Sequence, residues 1–130
     1  MPGNLHFIDR YYPEDLDKAP AVLFVFGDNM EGWGTKGQAI IRGKPNAVGI
    51  PTKWAPRLSP AAFFSDGDFL SIERVCSPIF YRLREHLEKG GTIVWPADGI
   101  GTGLAKLSEK APRIAAHFNQ ELEKLKEIAS

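Results

Sequence analysis

Residues 21–39 read AVLFVFGDNMEGWGTKGQA. The first six positions are all apolar, and such a run between a proline and a glycine is typical of a strand buried on both faces of a sheet. A glycine-rich stretch follows at once, with Gly32, Gly34 and Gly37 in the spacing G-x-G-x-x-G. A strand that leads directly into a glycine loop raises the question of what that loop holds.

Two further apolar runs predict buried strands. Residues 47–52 (AVGIPT) form the first, and residues 92–97 (TIVWPA) form the second. The second run is also followed directly by a glycine-rich stretch, residues 98–105 (DGIGTGLA). A shorter run at residues 4–9 (NLHFID) predicts a short strand at the edge of the sheet.

Apolar residues at helical spacing predict helices between and after the strands. Residues 69–87 and 112–129 each carry an apolar stripe, and residues 36–42 predict a short helix. Pro78 lies inside the first stripe and Ser77 before it suits an N-cap, so that segment is either two helices or one kinked helix. The alternation predicts one α/β layered domain, residues 1–130, with a mostly parallel sheet flanked by helices.

The composition excludes several classes of protein. Basic and acidic residues balance to a formal net charge of +0, so general nucleic-acid binding is not expected. No apolar run is long enough to cross a bilayer and the amino terminus has no signal-peptide pattern, so we expect no membrane contact. A single cysteine gives no disulfide framework, and we expect an intracellular, cytoplasmic protein.

The charges are unevenly placed along the chain. Between Gly32 and Ser65 there is no acidic residue, while five basic residues fall in this stretch: Lys36, Arg42, Lys44, Lys53 and Arg57. Either folding scatters these charges over the surface, or they form a local site for a small anion.

The first glycine stretch does not fit the two common nucleotide motifs. In the dinucleotide fingerprint the first glycine follows the strand almost immediately, and an acidic residue ends the next strand. Here residues 27–31 separate the strand from Gly32, and the next strand leaves through residues 50–53 (IPTK) without an acid. The P-loop spacing G-x-x-x-x-G-K-[ST] is also absent.

Glycine still suits a phosphate-binding loop for physical reasons. A residue without a Cβ adopts positive φ and lets the backbone approach a ligand, and consecutive N–H groups then hold phosphate oxygens. Ligands of parallel α/β sheets bind beyond the carboxyl ends of the strands, where both glycine stretches fall. We therefore predict that the two stretches meet on one edge and form a phosphate site. The alternative is that these glycines only make turns.

The chain resembles the macro domain superfamily, in particular a phage-associated, macro-like group of small proteins. The resemblance lies in the order of strand, asparagine and glycine-rich loop, followed later by a strand and Gly-x-Gly-Thr-Gly. The matching residues extend from 24 to about 118: residues 24–29 (FVFGDN), 37–39 (GQA), 49–53 (GIPTK), 99–105 (GIGTGLA) and 111–112 (AP).

This resemblance implies a three-layer, macro-domain-like fold and a ligand. Macro domains bind ADP-ribose, and some hydrolyse ADP-ribosyl bonds. By this resemblance, Asn29 faces the distal ribose and Gly32, Gly34 and Gly37 line one side of the diphosphate. On the same basis, the other side is covered by three residues: Gly101, Thr102 and Gly103.

Several polar and aromatic side chains near the loops are candidates for chemistry. Asp28 and Asp98 follow strands and are predicted, with Asn29, as catalytic residues that activate water or orient a ribose; the alternative is turn hydrogen bonding. Arg42 and Lys53 are phosphate partners or solvated charges. Trp33 either stacks on a base or packs as a lid. The predicted ligand-binding set is Gly27, Gly32, Trp33, Gly34, Gly37, Gln38, Arg42, Thr52, Lys53, Gly99, Ile100, Gly101, Thr102, Gly103 and Leu104.

Three functions remain open from the sequence. The first is binding of ADP-ribose or a related NAD-derived nucleotide, with hydrolysis of an ADP-ribosyl linkage if the protein is an enzyme. The second is hydrolysis or transfer of a nucleotide or nucleoside phosphate. The third is a non-enzymatic interaction domain with structural glycine loops. Three scattered histidines, His6, His86 and His117, show no metal-ligand spacing, and no cofactor is predicted.

Overall fold

A computed structural model describes residues 2–103 and 105–130 of the chain. Within them, four strands form one all-parallel sheet in the order β1-β4-β2-β3, flanked by helices. The strands are β1 (Leu5–Ile8), β2 (Leu23–Asn29), β3 (Ala47–Lys53) and β4 (Ile93–Pro96). This confirms the predicted α/β class, the parallel sheet and the position of the first strand at an edge.

Four α-helices and three short 3₁₀ turns connect and cover the strands. The helices are α1 (Pro13–Lys18), α2 (Phe69–Glu88), α3 (Leu107–Lys110) and α4 (Pro112–Ala129), and the 3₁₀ turns are Gly37–Ile41, Pro60–Ala62 and Asp66–Asp68. The short helix predicted at residues 36–42 is therefore a 3₁₀ turn. In the described part of the chain, no helix has both the length and the apolar character needed to cross a membrane.

Helix α2 runs without a break through Pro78, so the two-helix alternative is wrong. Ser77 does not cap a new helix, because its hydroxyl donates to the carbonyl oxygen of Glu73, 2.8 Å away within the same helix. The start of α2 follows a capping box, in which the Asp68 carboxylate accepts a hydrogen bond from the Ser65 backbone N–H at 2.9 Å.

The sheet is buried on both faces, as the apolar run of β2 predicts. Successive side chains of a strand point to opposite faces, and Leu23 and Val25 pack with α2 and α4 while Phe24 and Phe26 pack on the other face. On that second face the Tyr11 hydroxyl donates to the carbonyl oxygen of Val25. The two faces are thus covered by different parts of the chain, and the ends of the strands stay at the rim.

Asn46, directly before β3, joins three carbonyl groups of the segment that precedes β2. Its Nδ2 lies 3.1, 3.0 and 3.0 Å from the carbonyl oxygens of Leu16, Ala19 and Val22. The residue is only 5% exposed, so these carbonyls have little access to water. Asn46 therefore fixes the chain between α1 and the first buried strand.

We expect Asn46→Asp to destabilise the fold more than Asn46→Ala. The alanine variant removes the amide donor that the three carbonyl oxygens share, which costs about 1–3 kcal/mol, although those of Leu16 and Ala19 also accept from backbone N–H groups. The aspartate places a charge that cannot donate beside the three carbonyl oxygens. Urea denaturation measures both free energies of unfolding, with the exposed Asn119→Asp as control. Equal stability of Asn46→Asp and wild type would contradict this assignment.

Candidate functional site

Two glycine loops leave the carboxyl edge of the sheet. The first glycine loop, residues 30–37, follows β2, and the second glycine loop, residues 97–103, follows β4. Because β2, β3 and β4 are parallel, both loops begin at the same edge. The exit of β3 at Thr52 and Lys53 lies at this edge as well.

The side chain of Gln38 connects the two loops. Its Oε1 accepts a hydrogen bond from the Gly27 backbone N–H at 2.9 Å, and its Nε2 donates to the carbonyl oxygen of Gly99 at 2.8 Å. Gly27 itself lies against the second loop: a Cβ placed on it would be 3.6 Å from the Gly101 nitrogen and 3.6 Å from Ile100 Cβ. The second loop therefore packs against β2 and is joined to Gln38, which directly follows the first loop, at the edge that the parallel sheet predicts.

The loop glycines adopt the positive φ angles that glycine tolerates best. The values are +72° at Gly32, +103° at Gly34, +58° at Gly37, +84° at Gly99 and +73° at Gly101. Gly101 is also closely packed, since a Cβ there would lie 2.9 Å from two atoms of Leu107. A larger residue at this position would change the path of the second loop.

The backbone amides of residues 30–37 and 97–103 fall into two groups. Four donate within the protein: Met30, Gly32, Ala97 and Gly99. The others, which include those of residues 33–35 and 100–102, have no acceptor among the described residues. Donors that a phosphate can use are thus present in both loops.

Asn29 shapes the first loop with both ends of its side chain. Its Oδ1 accepts from the Gly32 N–H at 2.9 Å, and its Nδ2 donates to the Trp33 carbonyl oxygen at 2.9 Å. The residue is 9% exposed. These bonds make a tight turn of the kind that asparagine favours, so the amide predicted to face a ribose is engaged with the loop itself.

Asp28 is paired with Arg42. The Arg42 guanidinium lies 2.6 Å from Asp28 Oδ1, and its Nε donates to the Gly34 carbonyl oxygen at 2.8 Å. Asp28 Oδ1 also accepts from the Asn29 N–H at 2.7 Å. Arg42 therefore ties the first loop to β2, and the Asp28 carboxylate has its charge balanced by a neighbouring cation.

The tip of the first loop is held by an ion pair that the sequence does not indicate. Glu31 and Arg57 form this pair, and the Trp33 indole N–H donates to Glu31 Oε1 at 2.8 Å. The hydrogen bond from Trp33, with the Arg57 guanidinium, lowers the pKa of Glu31. The tip leans toward the segment after β3, where Gly34 faces Pro56. Trp33 remains 52% exposed, so its ring is accessible for stacking.

The second loop is closed by its own hydrogen bonds and by α3. The Thr102 hydroxyl donates to the Asp98 carbonyl oxygen at 2.8 Å, and the Leu107 N–H donates to the Gly101 carbonyl oxygen at 2.8 Å. Asp98 is exposed, and Gly103 has no neighbour within 4 Å of a Cβ placed on it. The predicted contact Leu104 lies outside the described residues.

A small cavity of about 90 Å³ lies on the α4 side of the second loop. Its walls come from β4, the loop, α3 and α4, and include Trp95, Ile100 and Phe118. This volume is too small for a nucleotide, so the cavity is a gap beneath the second loop.

The exit of β3 adds a buried lysine to the same edge. The Thr52 hydroxyl donates to the Asp28 carbonyl oxygen at 3.1 Å. Lys53 is only 7% exposed; its ammonium donates to the Arg57 carbonyl oxygen and lies 4.5 Å from the centre of the Phe63 ring. Burial lowers the pKa of Lys53. Across residues 2–103 and 105–130, no three His, Cys, Asp or Glu side chains come together as metal ligands.

The Gln38 contacts generate a direct test of loop convergence. In Gln38→Glu the carboxylate still accepts from Gly27 but repels the Gly99 carbonyl oxygen, so we expect a loss of about 1–3 kcal/mol in stability. Faster hydrogen exchange at Gly27 and Gly99, whose amides are both hydrogen-bonded, should accompany this loss. The control is Gln120→Glu on the exposed face of α4. If both variants matched the wild type, Gln38 would not hold the loops together.

Comparison with known proteins places these elements in a family. No curated protein and no solved structure matches the chain. One family model, described as a family of unknown function (DUF7831), matches residues 6–121. This range includes both glycine loops and Gln38, and it covers most of the chain. The protein therefore belongs to DUF7831, a family of unknown function.

Proposed function

We propose that the protein binds ADP-ribose or a related NAD-derived nucleotide, with the diphosphate on backbone amides of the two glycine loops. The observation that carries the proposal is the Gln38 bridge, which brings the amides of residues 100–102 beside the strand that leads into the first loop. A macro-domain-like arrangement of the sheet is part of the same proposal. It is supported by the parallel α/β sheet and by the motif resemblance.

The diphosphate is assigned to the second loop first. The N–H groups of Ile100, Gly101 and Thr102 have no acceptor among the described residues, and backbone donors bind phosphate oxygens well. Gly101 at φ +73° lets successive amides point in directions that an ordinary helix or strand does not allow. The first loop supplies the N–H groups of residues 33–35, which also have no acceptor among the described residues.

The sugar and base are assigned to the first loop. Trp33 offers a half-exposed aromatic face on which a planar ring stacks. Asn29 contacts a ribose hydroxyl only if its Nδ2 breaks the hydrogen bond to the Trp33 carbonyl oxygen and donates to the ligand instead. Such an exchange couples ribose binding to movement of the loop tip.

Binding fits these side chains better than turnover does. The Asp28 carboxylate is occupied, because it is paired with the Arg42 guanidinium at 2.6 Å. Asp98 is exposed beside the second loop and is the carboxylate with freedom to activate water at an anomeric carbon. If the protein turns its ligand over, the Asp98 carboxylate takes a proton from water as the water oxygen bonds to the anomeric carbon and the bond to the leaving group breaks, while Asn29 holds the ribose.

A second candidate is an interaction domain whose glycine loops are structural. The observation in its favour is that Gly27, Asn29, Gly32 and Gly99 already spend their amides within the protein. On that reading, Gln38 and Asn29 serve to stiffen a surface that another macromolecule contacts.

Calorimetric titration with ADP-ribose, ADP, AMP and pyrophosphate tests the proposal. We expect ADP-ribose to bind in the micromolar range and AMP more weakly, because AMP lacks the second phosphate. A preference for AMP would favour a nucleoside-phosphate enzyme. A folded protein that binds none of these ligands would favour the interaction domain.

Gly101→Ala is expected to weaken ADP-ribose binding about tenfold or more. The new Cβ would lie 2.9 Å from Leu107, which is too close. The substitution also places an L-residue at φ +73°, a conformation that costs about 1–2 kcal/mol. The control is Gly67→Ala, whose Cβ makes only an ordinary contact, 3.7 Å from Ser65 Oγ. Calorimetry and a thermal melt measure both variants, and equal affinity of all three folded proteins would remove the second loop from the site.

Asn29→Ala separates a ribose contact from a purely local role. If the amide contacts the ribose, the variant loses more affinity for ADP-ribose than for pyrophosphate, by about the value of one hydrogen bond, 0.5–1.5 kcal/mol. Equal losses for both ligands would mean that Asn29 acts only by shaping the loop.

A further inference from the structure

We propose that Lys53 and Lys110, whose ammonium groups both lie near the Phe63 ring, form a second phosphoryl-binding site next to the second glycine loop. The proposal goes beyond the nucleotide site above. It concerns a dianionic phosphoryl group, and inorganic phosphate alone is a sufficient probe of it.

Lys53 is the buried member of the pair. It is 7% exposed, and its ammonium donates to one carbonyl oxygen, that of Arg57. In the described part of the chain no carboxylate lies within 4.0 Å of it. A lysine in so buried a position without a carboxylate partner is unusual, and its ammonium group is available to an anion.

Lys110 brings a second cation to the same ring. The ammonium nitrogens of Lys53 and Lys110 lie 4.5 and 5.2 Å from the centre of the Phe63 ring. Lys110 comes from α3 and Lys53 from β3, so the fold gathers the two charges from distant parts of the sequence. Two like charges near one ring repel each other, and an anion between them removes that repulsion.

The neighbouring acidic side chains have other partners. Glu31 pairs with Arg57, and the Asp66 carboxylate accepts from the Arg113 N–H at 2.9 Å. Asp68 accepts from the Ser65 N–H and from the Trp54 indole at 3.2 Å. Among the described residues, none of these carboxylates lies within 4.0 Å of either lysine.

The charge and position of the pair favour a phosphoryl group. A phosphate monoester carries about −1.5 to −2 charges at pH 7, which suits two ammonium groups, and lysine binds phosphate as a point charge. The pair also adjoins the second loop: a Cβ on Gly101 would lie 3.3 Å from Thr52 Cγ2, and the Leu107 N–H donates to the Gly101 carbonyl oxygen. A ligand with two separate phosphoryl groups can engage both sites.

The experiment is a phosphate titration of three variants and the wild type, at constant ionic strength, with acetate as the monoanion control. Lys110→Gln removes an exposed charge, and Lys53→Met removes the buried charge while it keeps an apolar side chain beside Phe63. Lys89→Gln, at the far end of α2, is the matched control, since Lys89 pairs only with Glu85. Calorimetry gives the affinities, and thermal melts show that each variant folds and whether phosphate raises its Tm.

We expect phosphate to bind the wild type and Lys89→Gln equally, and to bind Lys110→Gln about tenfold more weakly, as for loss of one charge-assisted contact. Lys53→Met should lose the phosphate-dependent rise in Tm. If Lys53→Met does not fold, the exposed Lys110→Gln decides the test alone. Equal phosphate affinity in Lys110→Gln and wild type, or equal response to acetate and phosphate, would overturn the proposal.

The same variants keep this proposal separate from the nucleotide proposal. Phosphate binding that depends on the two lysines, in a protein that binds no ADP-ribose, would support the lysine site and refute the nucleotide site. If the protein binds ADP-ribose and substitution of either lysine leaves phosphate binding unchanged, the nucleotide site would be supported and the lysine site refuted.

Discussion

The amide side chain of Gln38 is the interaction on which the candidate site depends. One amide group accepts from Gly27 in β2 and donates to Gly99 after β4, and only a side chain with both a donor and an acceptor can do so. Parallel strands bring two loops to the same edge, but they do not fix the distance between them. Gln38 sets the distance between Gly27 and the second loop, and the second loop packs directly against β2 at Gly27.

Around this junction the protein uses polar side chains mostly to hold backbone in place. Asn29 closes the first loop on itself, Arg42 joins Asp28 to the Gly34 carbonyl, and Glu31 links the loop tip to Arg57. In such a site the polar side chains are already hydrogen-bonded within the protein, and the donors left for a ligand are backbone N–H groups. Backbone N–H groups suit a ligand rich in phosphate oxygens. The buried Lys53 departs from this pattern, because it has no carboxylate within reach in the described part of the chain.

The local patterns of the sequence predicted the strands and the use of glycine, because each depends on neighbouring residues alone. The apolar run before Gly27 predicted that β2 is buried on both faces, and the structure confirms it. The loop glycines adopt positive φ. The sequence analysis did not predict α1, although Pro13 followed by Glu14 and Asp15 is a helix-start signal. It also left open a break at Pro78 that α2 does not have. The contacts of Gln38, the Glu31–Arg57 pair and the shared ring of Lys53 and Lys110 join distant residues, and no local spacing reveals them.

The central claim is that backbone amides of the two glycine loops bind the phosphates of one ligand. The most direct measurement is an amide proton–nitrogen correlation NMR titration of the labelled protein with ADP-ribose. Our account expects the largest shift changes at residues 33–35 and 100–102 together, with residues of α2 unchanged. Changes confined to one loop, changes that map to α2, or no changes at saturating ligand would contradict it.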